Sequence, residues 1–381
     1  MTGGAHVTGG GETSALHAER TALPSLRTTE VVRHIGALRM WRGPSTSTWR
    51  SPLRAAIDGM RRVNRAPAIL IGVWTLTLLV SLPLALALRG MLAQHLGASL
   101  AADTATSGVN YDWMQEFGDQ ASGLGTTFKP TVIGFGAILD NLSGFIDRTK
   151  RPVVIVGAAS VYIVLWIFVA GGIIDRYARD RATRAYGFFA SAGEFFFRFL
   201  RLAVAQWIVY AVLFGALHPW LFDTLYPRLA HETTVERTAF LIRVGLYLVF
   251  GILVAGCTMI FDYAKVRAVA EDRRSMLSAI NAAVGFIGRN AGAAVTLFLV
   301  NFGVFAIAVG LYALVAPGAG RSGLSMWLGV AVGQLYVLAR LWIKLTFWAS
   351  ETALFQARLG HAGYVVRAEP TWPESPAADA I

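Results

Sequence analysis

Cysteine, charge and catalytic pattern are all scarce in this chain. Cys257 is the single cysteine among 381 residues, so an intrachain disulfide is excluded. Charged side chains make up 15% of the residues, against about 25% in a soluble domain. So little charge cannot cover a water-exposed globule of this length. Seven histidines (His6, His17, His34, His95, His218, His231 and His361) are spread thinly, and no H-x-x-x-H or D-x-D spacing occurs. His218 and His231 share a loop with Asp223, Glu232 and Glu236, but thirteen residues separate the two; zinc ligands sit closer in sequence than that. No Walker sequence is present. Gly318, Gly320 and Gly323 surround Pro317 without a lysine, which fits a tight turn. A hydrolase needs a nucleophile or metal ligands that converge, and no spacing suggests one. No catalytic residue, metal or cofactor is assigned, and the sequence leans away from an enzyme.

What is abundant is apolar length. Hydrophobic residues reach 55%, and six apolar runs lie near 67–88, 153–174, 198–217, 239–261, 293–315 and 324–346. About twenty residues cross the hydrocarbon core as a helix. These runs predict an all-α polytopic membrane bundle of six transmembrane helices. The net charge of +11 would suit nucleic acid, but its placement does not. Basic residues gather in alternate loops, 25 on one side and nine on the other. The positive-inside rule then puts both termini in the cytoplasm of a bacterial inner membrane. No compact basic fold or stacking platform for nucleic acid is visible. The first apolar run begins after more than sixty residues, so it reads as a retained helix rather than a signal sequence.

The domain organisation follows. Residues 1–50 read as a mostly disordered cytoplasmic arm, in which 31–43 is either a short helix on the inner leaflet or a partly ordered strap. Ser51-Pro52 starts an amphipathic lead-in helix over 51–66. The six-helix domain covers 67–346, with an outer insertion at 90–151, and 347–381 forms a cytoplasmic tail. Pro83 permits a kink in the first span. Within the insertion, Val132, Ile133, Phe135, Ile138, Leu139, Leu142 and Ile146 recur at helical spacing. That helix, 130–147, is left open between interfacial, re-entrant or spanning, and soluble-cap placements.

The two elbows at 175–197 and 262–290 look related. Each opens on an aspartate, Asp175 or Asp262, continues through a charged turn, and closes on phenylalanine and arginine. A parallel repeat of helical hairpins and simple convergence both account for this. The run FDYAKVRAVAEDRRSMLSAINAAVGFIGRN, with Asp262, Tyr263, Ala264, Arg267, Glu271, Asp272, Ser275 and Phe286, resembles the inner loop of a loose group of bacterial six-helix membrane proteins of unassigned function. That group is related to the membrane domain accompanying some glycerophosphodiester phosphodiesterases. The resemblance covers about 150–346. It implies a membrane domain and no chemistry, because the phosphodiesterase activity belongs to a separate soluble domain.

Few polar residues lie inside the spans. Gln206, Asn301 and Gln334 are the candidates, either as interhelical hydrogen-bond glue or as a translocation path. The inner-elbow motif contributes Asp175, Asp262, Tyr263 and Arg267. Arg54, Arg61, Arg62 and Arg65 beside the first span suggest contacts to anionic membrane lipids. Glycines recur through the spans, among them Gly171, Gly172, Gly245, Gly251, Gly256, Gly292, Gly303, Gly310, Gly329 and Gly333, and permit close helix approach within the bundle or between protomers. An ABC-permease coupling helix is disfavoured: Asn281-Ala282-Ala283 and Gly285 are present without the glutamate or a downstream Leu-Pro. The leading function is a non-enzymatic accessory or scaffold subunit with other membrane subunits, or copies of itself, as partners. The alternative is a small-solute or lipid permease component; an enzyme acting on lipid ranks third.

Overall fold

A computed structural model of the chain describes residues 52–358, apart from 108, 109, 130, 132, 133, 148 and 319–322. The expected N-terminal arm, the Ser51 cap, Pro130 and the tail beyond Arg358 lie outside the described residues. Among the described residues the structure is all-α, and six helices are long and apolar enough to cross a membrane. The chain is a multi-pass membrane protein by that measure.

Pro52–Asn64 forms α1, and Pro67–Leu96 forms the first long helix, α2. Proline stands at the first position of both, where its missing N–H costs no helical bond. Pro83 lies inside α2 without ending it. Beyond α2 come two short helices, α3 (Ala102–Ser107) and α4 (Tyr111–Gln120), then a 3-10 turn at Gly123–Thr127. They fold back on the end of α2. Trp113 donates its indole N–H to His95 Nδ1 at 3.1 Å, and Phe117 and Phe128 close the aromatic cluster. Helix α5 covers Phe135–Ile146. Its 12 residues rise about 18 Å, too short to cross a core of about 30 Å. That removes the spanning reading of 130–147. Asp147 at its end accepts from the Tyr247 hydroxyl at 2.9 Å, and Phe145 stands 4.8 Å from Phe214, ring to ring.

The remaining long helices are α6 (Val153–Arg179), α7 (Ala185–Ala230), α8 (Glu236–Ala270), α10 (Ala291–Val315) and α11 (Leu324–Arg358), with α9 (Met276–Arg289) between α8 and α10. All of these long helices outrun their apolar runs. The loop expected to hold His218 and His231 is instead helix as far as Ala230, with Pro219 and Pro227 inside it. Two π-helical stretches, Leu213–Leu217 and Trp220–Leu225, flank Pro219. A wider turn shifts the hydrogen-bond register, so proline's missing donor is accommodated. Likewise α11 continues past residue 346 to Arg358.

The core is not spread along the spans. Its buried residues come from the last halves of α6, α8 and α11, the first halves of α7 and α10, and from α1 and α9. All of these meet at one end of the bundle, the arginine-rich end. From Leu341 to Phe355 nearly every residue of α11 is buried, including Trp348, Ala349, Ser350, Glu351 and Thr352. Away from that end, only 6% to 22% of the most apolar stretch of each span is covered by the rest of the chain. A smaller cluster of Leu213, Leu221 and Phe250 joins α7 to α8 further along.

Candidate functional site

The arginine-rich end owes its order to close backbone contact first. A Cβ on Gly59 would lie 2.6 Å from the Ser350 nitrogen, so only glycine lets α1 rest on α11. At Gly171 a Cβ would lie 2.7 Å from Phe195 Cβ, which sets α6 against α7. Alanines Ala55, Ala56, Ala192, Ala264, Ala279, Ala283 and Ala349 complete a set of small buried positions. Large side chains fill what remains: Tyr263, Phe286 and Phe355 are fully buried, with ring centroids 5.1 and 5.2 Å apart in succession.

Charged groups enter this packed region in matched sets. Trp348 is the centre of the first. Its indole N–H donates to Asp262 Oδ1 at 3.1 Å, and Lys265 Nζ donates to the same oxygen at 2.8 Å. Lys265 and Lys344 both stand over the Trp348 ring, at 5.5 and 5.0 Å, a cation–π arrangement on one indole. Trp166 from α6 meets that ring edge-on at 5.7 Å. One residue pair along, Asn301 Nδ2 donates to Ser350 Oγ at 2.8 Å. Glu351 is also buried. Its Oε2, the Tyr263 hydroxyl and Asn301 Oδ1 have no hydrogen-bond partner among the described residues.

The second set is built on Arg62. Its guanidinium donates to Asp58 Oδ2 at 2.8 and 3.1 Å, to the Tyr177 carbonyl at 2.7 Å and to Gln356 Oε1 at 2.9 Å. Gln356 in turn donates to the Ala178 carbonyl at 2.8 Å. Arg62 therefore ties α1 to the carbonyl end of α6 and to α11. Those last carbonyls carry the negative end of the helix dipole. Because its donors are engaged inside the protein and it is buried, Arg62 does not fit the expected role of touching a headgroup. Arg65 lies 3.5 Å from Asp180, whereas Arg61 is exposed.

The elbows form the third set. Asp175 accepts from Ser191 Oγ at 3.0 Å and pairs with Arg179 at 2.8 Å. Arg267 grips Glu271 with two nitrogens, at 2.6 and 3.2 Å, and donates to the Ala282 carbonyl at 2.5 Å. Arg273 holds the same Glu271. Burial pushes the Glu271 carboxyl up, but the hydrogen bonds and charges of Arg267 and Arg273 outweigh it and hold the group below its ordinary value. Two aspartates adopt the left-handed backbone region, Asp180 at φ 46° and Asp272 at φ 47°. One lies in each elbow, and each faces an arginine from another element: Arg65 for Asp180, and Arg198, at 2.5 Å, for Asp272.

The structure thus brings together Asp262, Tyr263, Asn301 and Arg62 at one end, with Asp175 and Arg267 in the adjoining elbows. It does not bring Gln206 and Gln334 there. Gln334 accepts from the Trp74 indole at 3.0 Å, joining α2 to α11, and Gln206 is half-buried on α7. His218 packs 4.5 Å from Phe222 and 5.2 Å from Phe250, ring to ring. Among the described residues no three His, Cys, Asp or Glu side chains group so as to hold a metal. Trp348, Ser350, Glu351 and Gln356 were missed in the sequence because hydropathy falls at Ser350-Glu351-Thr352. The signal that would have found them is the small and apolar set Leu345, Ala349, Thr352 and Phe355, spaced three and four apart. Compared with family models, with curated proteins and with solved structures, the chain gives no match.

Proposed function

We propose that this chain is a non-enzymatic accessory or scaffold subunit of a bacterial inner membrane. Its arginine-rich end and both termini face the cytoplasm, and its uncovered spans lie against another membrane subunit. One observation carries the reading. Gly245, Gly251, Gly256, Gly292, Gly303, Gly310 and Gly333 lie on the spanning helices, and a Cβ on any of them would meet nothing within 4 Å. Glycine costs a helix about 1 kcal/mol relative to alanine and adds no contact to lipid chains. Its use in a span is to let a second helix come close, and among the described residues no second helix does. The exposed flank around these glycines is long, with Leu248, Ile252, Leu299, Ile307 and Leu311 all more than half exposed.

The resemblance of 262–290 to the loose bacterial six-helix group agrees with a membrane domain lacking chemistry of its own. The matched aspartates Asp180 and Asp272 support reading the elbows as a parallel repeat. A second reading, a small-solute or lipid permease component, is favoured by one feature: Glu351 is a buried acid whose Oε2 has no hydrogen-bond partner among the described residues, and ionisable groups within membrane helices are functional candidates by default. Purification from native membranes in mild detergent separates the two. Fixed membrane partners that follow the protein through purification support the accessory role. A lone protein that moves a solute in liposomes ends it.

A further inference from the structure

A groove of about 450 Å³ opens at the arginine-rich end between α7 and the start of α9, lined by Arg201, Ala205, Arg274, Ser275, Met276 and Leu277. Its charge is set by how the acids around it are shared. Asp272 and Glu194 are taken by Arg198. Glu271 is taken by Arg267 and Arg273, and Arg273 also donates to Ser278 Oγ at 2.8 Å. Among the described residues no acid is left for Arg201 or Arg274. Arg201 uses only its Nε, on the Phe197 carbonyl at 3.2 Å, and both guanidinium ends are exposed. Apart from Ser275, the rest of the wall is apolar. Leu277 is 75% exposed, and on the neighbouring face of α7 Val204, Trp207 and Ile208 are exposed as well.

We infer that this groove binds an anionic phospholipid of the leaflet at the arginine-rich end. The headgroup phosphate lies between Arg201 and Arg274, and an acyl chain runs along Ala205, Leu277 and the exposed face of α7. Three features converge on that occupant. Two guanidinium groups with no acid partner among the described residues provide planar donors that suit phosphate. An apolar wall begins directly beside them, which a free anion would not use. The groove also stands at the end of a spanning helix, where headgroups lie, and basic pockets between helices at that depth are known lipid sites. The Arg198–Asp272 pair fixes the α8–α9 turn against α7 and so holds the two arginines on facing walls. This goes beyond the accessory reading and is independent of it, since a lipid site suits a scaffold and a permease alike.

The test uses the full chain in mild detergent, with native mass spectrometry counting retained phosphatidylglycerol against phosphatidylcholine. Retention of phosphatidylglycerol should fall about fivefold for Arg201→Gln or Arg274→Gln and roughly thirtyfold for both. Arg201→Lys/Arg274→Lys should restore most of it, because the charge remains. Leu277→Ser should weaken lipid retention without creating phosphate sensitivity. Arg181→Gln/Arg184→Gln in the 175–197 elbow, both exposed, serves as the control and should leave retention unchanged. Equal losses from the elbow and groove pairs would mean diffuse surface attraction and overturn the site. Displacement of the lipid by millimolar inorganic phosphate would make it a plain anion site and overturn the lipid assignment. Thermal unfolding in neutral detergent verifies that each variant is folded, and unchanged phosphatidylglycerol retention in a folded double variant also overturns the proposal.

Discussion

Arg62 and Trp348 each join three helices through one side chain. Arg62 links α1, α6 and α11 with bonds to Asp58, the Tyr177 carbonyl and Gln356. Arg62→Ala leaves those acceptors without a donor, and the loss of a buried charged partner is expected to cost on the order of 3 kcal/mol. Arg62→Lys should not recover it, since a single ammonium cannot reach three acceptors in a plane. Denaturant unfolding in detergent measures both. Trp348→Phe keeps the ring that Lys265 and Lys344 stand over but removes the N–H to Asp262, for an expected loss of about 1–3 kcal/mol. Glu271 adds a pH dependence of definite sign. Its carboxyl is held below the ordinary 4.5, so its contribution is fully present above that value and is lost as pH falls through the lowered one. Stability should be flat with respect to this group near neutrality and drop in acid. Glu271→Gln should lower stability at neutral pH and flatten that acid limb, read by melting temperature against pH.

At the scale of elements, the six spans were legible because an apolar run of twenty residues has no other common use. The elbows were legible because arginine and aspartate interrupt the runs. Helix α11 beyond residue 346 was not, because Ser350, Glu351 and Thr352 lower hydropathy although all three are buried. They are buried because hydrogen bonds and neighbouring helices replace water, as with Asn301 to Ser350 and Thr352 to the Trp348 carbonyl, and hydropathy does not record such pairing. The docking of α1 was half legible. Its amphipathic pattern announced a covered face, but the same pattern suits a membrane surface, and only the backbone contact at Gly59 decides for α11. Gly59→Ala should therefore detach α1 by overpacking, at a cost of about 1–3 kcal/mol. A single cysteine at Val63, in a Cys257→Ala background, should then react with a water-soluble maleimide that does not reach it in the parent. Truncation after Thr346 removes Trp348, Glu351 and Phe355 together and should yield protein that is degraded or aggregated rather than a bundle lacking a tail.

Over the described residues the bundle is ordered unevenly. One end is closed by matched charges, small residues and fully buried rings, while the spans beyond it present most of their apolar surface outward. In a membrane the hydrophobic effect does not pull helices together. Helices therefore stay apart unless packing or polar bonds join them, and the bonds here are concentrated at one end. Further along, single contacts such as Trp74 to Gln334, Thr77 to Tyr162 and Tyr210 to Thr258 hold pairs of helices. A partner helix can add contacts at the open glycines without disturbing the closed end. Photo-crosslinking in native membranes tests this most directly, with a photoreactive side chain placed at Ile307, beside Gly303 and Gly310, and at the buried Phe286 as control. A partner subunit seated on this flank gives a discrete protein adduct of higher mass from Ile307 and none from Phe286. Lipid adducts alone at Ile307, and again at Ile252 beside Gly251, would contradict it.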